Sequence, residues 1–424
     1  MNAGDLITVL VEKPAAGGRM VARHQGRVLL VSGAIPGERV VARVERVSRG
    51  VVFAEAVRIE TASDDRRAPA SDPRCGGCVL AHVSYPRQLQ LKGEIVRDAF
   101  ARLARLPVAD GPALVGSPEG GYRTRARFHV REGRVGFYRE GSHELCDVGP
   151  TGQLGETAVA WLRALTPQLE RPDLRGVGAI EMAENVAGDS RACHLELHAG
   201  TAIAPFVVLS EGLAGLSAAR ADRPDVVTLS GEASIEDTVA AAEDAPAVRL
   251  RRDVRAFFQG NRFLVVPLAR HVAALAGRGG IVDLYGGVGL FGLTLAAAGA
   301  AEVTVVEGDP IAGADLLRNA QPYLDQVHVE RRSVEAYLAS SPAHVLAGAT
   351  AIVDPPRTGL SKEAVAGLIR VRPATIVYVS CDPATLARDC RAFVDGGYDL
   401  RGLTVFDMFP NTPHVETVAL LERT

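Results

Sequence analysis

Residues Gly280–Ala300 read GIVDLYGGVGLFGLTLAAAGA, and this stretch decides the fold. A short apolar run ends in Gly286, Gly287 and Gly289, and a longer apolar run follows without a break. That is strand, glycine turn and helix, the opening unit of an open α/β sheet. EVTVVEGDP (Glu302–Pro310) adds a second strand that ends in acid. ATAIVDPPRTGL (Ala349–Leu360), TIVYVSCDP (Thr375–Pro383) and LTVFDMFPNTPHVETVALLER (Leu403–Arg423) add later strands, the last two forming an antiparallel pair. From Arg252 onward the expectation is a doubly wound α/β sheet, whose ligands and reactive groups lie at the carboxyl ends of its strands.

Those strand ends carry the candidate chemistry. Glycines at 286 and 289, after Tyr285, let a nucleotide-like ligand approach the backbone. Glu307, 18 residues after Gly289, stands at the tip of the second strand, where a carboxylate accepts bonds from two ribose hydroxyls. The turn is not GxGxxG, and the acidic strand tip favours S-adenosylmethionine over a pyrophosphate ligand. In DPPRTGL two prolines stiffen the loop after Asp354. A related Asp-Pro-Pro-aromatic loop serves methylation of exocyclic nitrogens, but Arg357 replaces the aromatic here and Cys381 follows one strand later. Cysteine points to a different reaction. Carbon 5 of uracil is a poor nucleophile until a thiolate adds to carbon 6, and a carboxylate must afterwards take the carbon 5 proton. Cys381 is the candidate nucleophile, and Glu416, at the start of the last strand, is the candidate base.

The amino-terminal half has a different texture. Residues 5–60 alternate in short runs broken by Gly17-Gly18, Gly33, Pro36-Gly37 and Gly50, which predicts a small closed β-barrel with Arg19, Arg23, Arg27, Arg43, Arg46 and Arg49 exposed. A polar linker leads into PRCGGC, in which Cys75 and Cys78 are spaced to share a metal, with Cys146 as a possible third ligand. Spacing alone leaves an inert loop equally open. A helix is expected over Pro86–Leu106, with Arg87, Lys92, Arg97, Arg102 and Arg105 off its apolar stripe. GYRTRARFHVREGRVGFYRE (Gly121–Glu140) reads as a hairpin whose arginines and aromatics suit single-stranded RNA, and equally suit any half-buried sheet. Residues 201–247 offer no site.

Across 424 residues the net charge is −3, yet residues 1–150 hold 23 Lys and Arg against 17 Asp and Glu, a weak pointer to an RNA-facing front half. Composition, 47% hydrophobic and 23% charged, is that of a soluble enzyme, and no 18-residue apolar run or signal peptide is visible. The expectation is a cytoplasmic chain, monomeric and away from membranes, whose cysteines stay reduced.

Taken in order, FFQGN (Phe257–Asn261), DLYGGVGLF, VEGDP, DPPRTGL, SCDPATLARD and DMFPNTPHVE resemble the RNA uracil-5-methyltransferase family, which makes 5-methyluridine in tRNA or 23S ribosomal RNA. The resemblance spans nearly the whole chain. It implies a class I S-adenosylmethionine methyltransferase fold, a doubly wound sheet over residues 251–424. Before it would lie a TRAM-like RNA-binding barrel over residues 1–60 and a strand-rich central domain over 61–250 whose helix packs on the catalytic domain. It implies Cys381 as nucleophile, Glu416 as proton acceptor, and Gln259, Tyr285, Glu307 and Asp354, with Gly286 and Gly289, around S-adenosylmethionine. It also implies an iron-sulfur site at Cys75, Cys78 and Cys146. Three departures stand out: Asp382 replaces an Asn after the nucleophile, Leu290 replaces an Asn in the cofactor loop, and Pro69 replaces the further cysteine of members that carry a [4Fe-4S] cluster. The cluster is then held by a fourth, non-cysteine group, labile or lost, and retention is the expectation carried forward. A TRAM-like barrel favours 23S ribosomal RNA over tRNA. The rival readings are a catalytically retired RNA-binding scaffold and methylation of a DNA cytosine or a nitrogen.

Overall fold

Strand–turn–helix units build the carboxyl-terminal sheet as their apolar pattern predicts. The computed structural model describes residues 1–108, 110–223 and 225–424. Eight strands lie in the order Val327–Glu330, Glu302–Val306, Gly280–Leu284, Thr350–Val353, Thr375–Ser380, Glu416–Arg423, Tyr398–Phe406 and Ala113–Val115. The first five are parallel. Glu416–Arg423 is inserted antiparallel to both of its neighbours. Successive side chains of a strand point to opposite faces. Ile352 and Val379 therefore belong to one buried cluster with Leu268 and Leu293, while Ala351, Val353 and Tyr378 belong to another with Leu386 and Phe393. Helix Leu290–Ala297, apolar on every side, is almost wholly buried, as a helix between sheet and neighbouring helices must be.

Ala113–Val115, from within the expected central segment, joins the edge of the catalytic sheet parallel to Tyr398–Phe406. The helix predicted over 86–106 is α-helical from Tyr85 to Ala99 and continues as a π-helical turn from Phe100 to Ala104, ending at left-handed Arg105. Val96, Ala99, Phe100 and Ala104 pack into the same cluster as Leu386 and Phe393, so this helix lies on the catalytic sheet. Lys92, expected on a solvated face, is instead fully buried. No described helix is long and apolar enough to cross a membrane.

Leu6–Pro14, Met20–His24, Arg27–Ser32, Val51–Thr61 and Arg39–Ser48 close into a barrel around Val9, Met20, Leu29, Val31, Val40 and Val52. Leu80, Val83 and Leu91, from the segment that follows, complete that core. Half of the expected positive surface is neutralised, while Arg27, Arg46 and Arg49 stay exposed without a carboxylate partner among the described residues. Arg19 pairs with Glu45 at 2.7 Å, Arg43 with Glu55 at 2.8 Å and Arg23 with Glu12 at 3.3 Å. Arg46 lies over the Phe53 ring at 3.6 Å.

The central sheet orders Val226–Gly231, Gly215–Arg220, Arg191–Leu197, Val177–Glu184, Arg125–Arg131, Arg134–Tyr138 and Leu145–Cys146. The predicted hairpin is present, with Arg131 opposite Arg134 at its turn. Of its two open readings, the half-buried sheet is the one its neighbouring strands match. Arg125 pairs with Glu181 and Arg127 with Glu196, and Tyr122 and Phe128 are buried.

Candidate active site

The glycine turn is shaped by close packing. A Cβ on Gly286 would lie 2.3 Å from Val305 Cγ1, and one on Gly289 would lie 2.5 Å from Leu293 Cδ1. Gly289, at φ 101°, starts helix Leu290–Ala297 in a conformation that only glycine adopts easily. Tyr285 is itself left-handed at φ 62°. Glu307 lies beside the turn, accepting from Gly287 N at 2.7 Å through one oxygen and from Asp309 N through the other. A carboxylate has further lone pairs for a ribose diol. Beneath the turn Asp283 is fully buried, with Oδ2 accepting from Gly292 N at 2.7 Å and Oδ1 lacking any partner. Burial, with Asp354 and Glu307 nearby, pushes its carboxyl up to about 7. Sequence reading passed over this residue. Its signal was an acid at the end of an otherwise apolar strand.

The placement of Cys381 and Glu416, the candidate nucleophile and base, follows from strand register. Ser380 pairs with Thr417 across antiparallel strands. Cys381 and Glu416 are the next residues on from that pair, and they lie close enough for the charge of Glu416 to act on the thiol. Asp354 ends the next strand over, and its Oδ2 accepts from Gln259 Nε2 at 3.2 Å. Four of the sequence-predicted residues, Gln259, Asp354, Cys381 and Glu416, thus meet at one end of the sheet, with Tyr285, Gly286, Gly289 and Glu307 along the adjoining edge. Burial pushes the Cys381 thiol up to about 11; the negative charge of Glu416 adds to this, and Arg357 opposes it. Burial raises Asp354 to about 7. Burial and then Asp354 raise Glu416 well above the ordinary carboxylate range, again with Arg357 in opposition.

Three groups that sequence reading missed hold these residues in place. Asp389 Oδ2 accepts from Tyr378 OH at 2.7 Å and from Leu360 N at 2.9 Å, tying the DPPRTGL loop to the cysteine strand. Lys92 Nζ pairs with Asp407 and donates to Phe409 O at 3.1 Å, so a wholly buried ion pair fixes the loop that ends at Glu416. Asn261 Nδ2 donates to Met408 O at 3.1 Å on the other side of that loop. Asp382, the departure after the nucleophile, caps helix Pro383–Asp395 by accepting from Ala384 N and Thr385 N. Asn at this position would accept the same bonds.

The cysteines of the central domain converge without forming a four-thiolate shell. Cys75 and Cys146 are joined in a disulfide. Cys78 is a buried thiol that accepts from Ser71 Oγ at 2.9 Å, with its ionisation pushed up by burial. Among the described residues no further His, Cys, Asp or Glu groups with them as a metal site. With Pro69 in the fourth position, these residues supply no complete ligand set for a [4Fe-4S] cluster, and its expected retention finds no support.

A glycine turn opening the first helix, an acid at the second strand tip and an orphaned buried carboxylate beneath the turn suit a cationic nucleoside ligand. They define the class as S-adenosylmethionine-dependent methyltransferases. The tRNA (uracil-5-)-methyltransferase family model matches residues 248–424, and the TRAM domain model matches residues 2–57. A 23S rRNA (uracil(1939)-C(5))-methyltransferase of Pseudomonas entomophila is 33% identical, covering 98% of this chain and 93% of that one. An uncharacterized RNA methyltransferase of Streptomyces coelicolor is 34% identical over 99% of this chain and 93% of its own. The chain belongs to the RNA uracil-5-methyltransferase family. The crystal structure of the Pyrococcus abyssi tRNA (uracil-54, C5)-methyltransferase with S-adenosyl-L-homocysteine shares the fold, at a TM-score of 0.72 and 24% identity over 98% of this chain and all of that one.

Proposed function

We propose that this chain transfers the methyl group of S-adenosylmethionine to carbon 5 of a uridine in RNA, with Cys381 as nucleophile and Glu416 as base. The observation that supports this most directly is the register that pairs Ser380 with Thr417, the residues next to Cys381 and Glu416, beside Asp354 and Gln259. Addition of the Cys381 thiolate to carbon 6 makes an enolate, and carbon 5 takes the methyl group. Glu416 then removes the carbon 5 proton, the double bond re-forms and the thiolate leaves.

The electrostatics order these events. With its thiol near 11, Cys381 is about one part in a thousand thiolate at pH 8. Burial is the main cause, and the neighbouring carboxylates add to it; a sulfonium cation held by Asp354 and Glu307 would offset that added part and favour the thiolate. Gln259, Tyr285, Gly286 and Gly289 complete the cofactor site in this reading. The raised ionisation of Glu416 makes it the stronger proton acceptor whenever it is ionised.

The substrate we favour is 23S ribosomal RNA, on the near full-length likeness to the Pseudomonas enzyme; tRNA is the alternative. An iron-sulfur centre forms no part of this reading. Mapping 5-methyluridine in 23S ribosomal RNA and tRNA from a deletion strain tests the substrate: loss from 23S ribosomal RNA alone is expected, and loss from tRNA alone would move the assignment. Cys381→Ala should abolish methylation while leaving S-adenosylhomocysteine affinity nearly unchanged, and turnover by that variant would refute the covalent scheme.

A further inference from the structure

The methyl-transfer site occupies the carboxyl ends of the parallel strands. At their amino ends, on the opposite edge of the sheet, lies a separate cavity of about 500 Å³. Its wall is formed by His344, Ala347 and Gly348, which precede strand Thr350–Val353; by Arg372 and Ala374, which precede strand Thr375–Ser380; and by Arg423 and Thr424 at the end of the last strand. Three of these side chains can present N–H donors to an anion.

Two features set this wall apart. His344 and Arg372 are both left-handed, each at φ 61°, and they are two of the eight described non-glycine residues with positive φ. Glycine would fit such backbone without strain, so a histidine and an arginine stand here against local preference, the arginine as the left-handed cap that ends helix Lys362–Val371. The arginines also lack counter-charges. Nearby Arg370 is spent on Ser341 O and Leu338 O, and Arg401 on Asp399 and Glu422. Neither Arg372 nor Arg423 pairs with a carboxylate among the described residues, and Arg423 Nη1 is buried with no partner. Both act on the phenol of Tyr398, opposing the upward push of burial on its ionisation. The Arg423 guanidinium lies 5.7 Å from that ring's centre. Two guanidinium groups that share one concave wall without a carboxylate side chain paired to either favour an anion there, and guanidinium groups match phosphate oxygens in paired bonds.

We propose that this cavity is a phosphate-binding site distinct from the methyl-transfer site, with Arg372 and Arg423 as its guanidinium ligands and His344 at its rim. The phosphate belongs either to the backbone of bound RNA or to a free nucleotide.

Arg372→Gly is the decisive variant, because glycine relieves the left-handed backbone while removing the cation, so the fold is retained. Full-length protein is titrated calorimetrically with inorganic pyrophosphate at low ionic strength, and S-adenosylhomocysteine affinity serves as the control for an intact catalytic sheet. Wild type should bind pyrophosphate at least tenfold more tightly than Arg372→Gly, with Arg372→Lys between them, as loss of a charge-assisted contact requires. In a second arm, binding of a 23S ribosomal RNA fragment is measured against salt. A slope reduced by about one unit in Arg372→Gly assigns the site to an RNA phosphodiester. An unchanged slope with weakened pyrophosphate binding assigns it to a free nucleotide. Identical behaviour of wild type and Arg372→Gly in both arms overturns the proposal.

Discussion

Asp283→Asn should make the folded protein more stable at alkaline pH and worse at binding its cofactor. The carboxyl is fully buried, its Oδ1 has no partner, and its folded value is raised from 3.8 to about 7. Between those values the folded chain holds a proton that the unfolded chain has released, so stability falls as pH rises through this window and stays low above it. At 1.36 kcal/mol per unit, the cost is on the order of 1.5 kcal/mol at pH 5 and about 4 kcal/mol above pH 7. Asn removes the charge but leaves a buried amide N–H₂ without an acceptor, a penalty of about 1–3 kcal/mol that does not change with pH. Comparing the two pH values cancels it. Relative to wild type, Asp283→Asn should gain on the order of 2.5 kcal/mol between pH 5 and pH 8.5 in urea unfolding. Calorimetry should show weaker binding of S-adenosylmethionine, whose positive charge the buried carboxylate is placed to offset. A stability difference independent of pH would mean that Asp283 is ionised at little cost, and the reasoning would fail.

Glu416→Gln should stall after methyl transfer, accumulating a covalent protein–RNA complex that carries labelled methyl on natural uridine RNA. General-base removal slows release by about 10²–10⁴-fold, and normal turnover would send the search to another carboxylate. Lys92→Met strands the buried Asp407 carboxylate and should cost about 3–5 kcal/mol in urea unfolding, with the double variant Lys92→Met/Asp407→Asn recovering much of it; equal losses in both would discount the ion pair. Because Leu80, Val83 and Leu91 complete the barrel core, deleting residues 1–60 would expose that core, and point changes test the barrel better. Replacing exposed Arg27, Arg46 and Arg49 with Ala should lower the salt slope of RNA binding by up to about three units, whereas Arg19, Arg23 and Arg43, already paired with glutamates, should change it little. Anaerobically purified protein should contain well under one iron per chain; brown protein with about four irons would restore the [4Fe-4S] reading.

The sequence by itself determined the catalytic fold, because buried parallel strands need continuous apolar runs and a helix that follows a strand needs a glycine turn, and both are local patterns. It also named Cys381, Glu416, Glu307 and Asp354, since each stands at a strand end that such patterns locate. What it did not contain was which charges meet. The arginines of the barrel and hairpin read as a basic surface until strand pairing set Glu45, Glu55, Glu181 and Glu196 beside them. Lys92 read as solvated until Asp407, 315 positions away, was brought against it in the core. Three cysteines read as a cluster site until packing joined Cys75 to Cys146 and left Cys78 alone. Cys381 and Glu416 are 35 positions apart along the chain, and only the antiparallel register between their strands brings them near each other. Charge compensation and residue pairing depend on separations through space, and tertiary structure alone sets those distances.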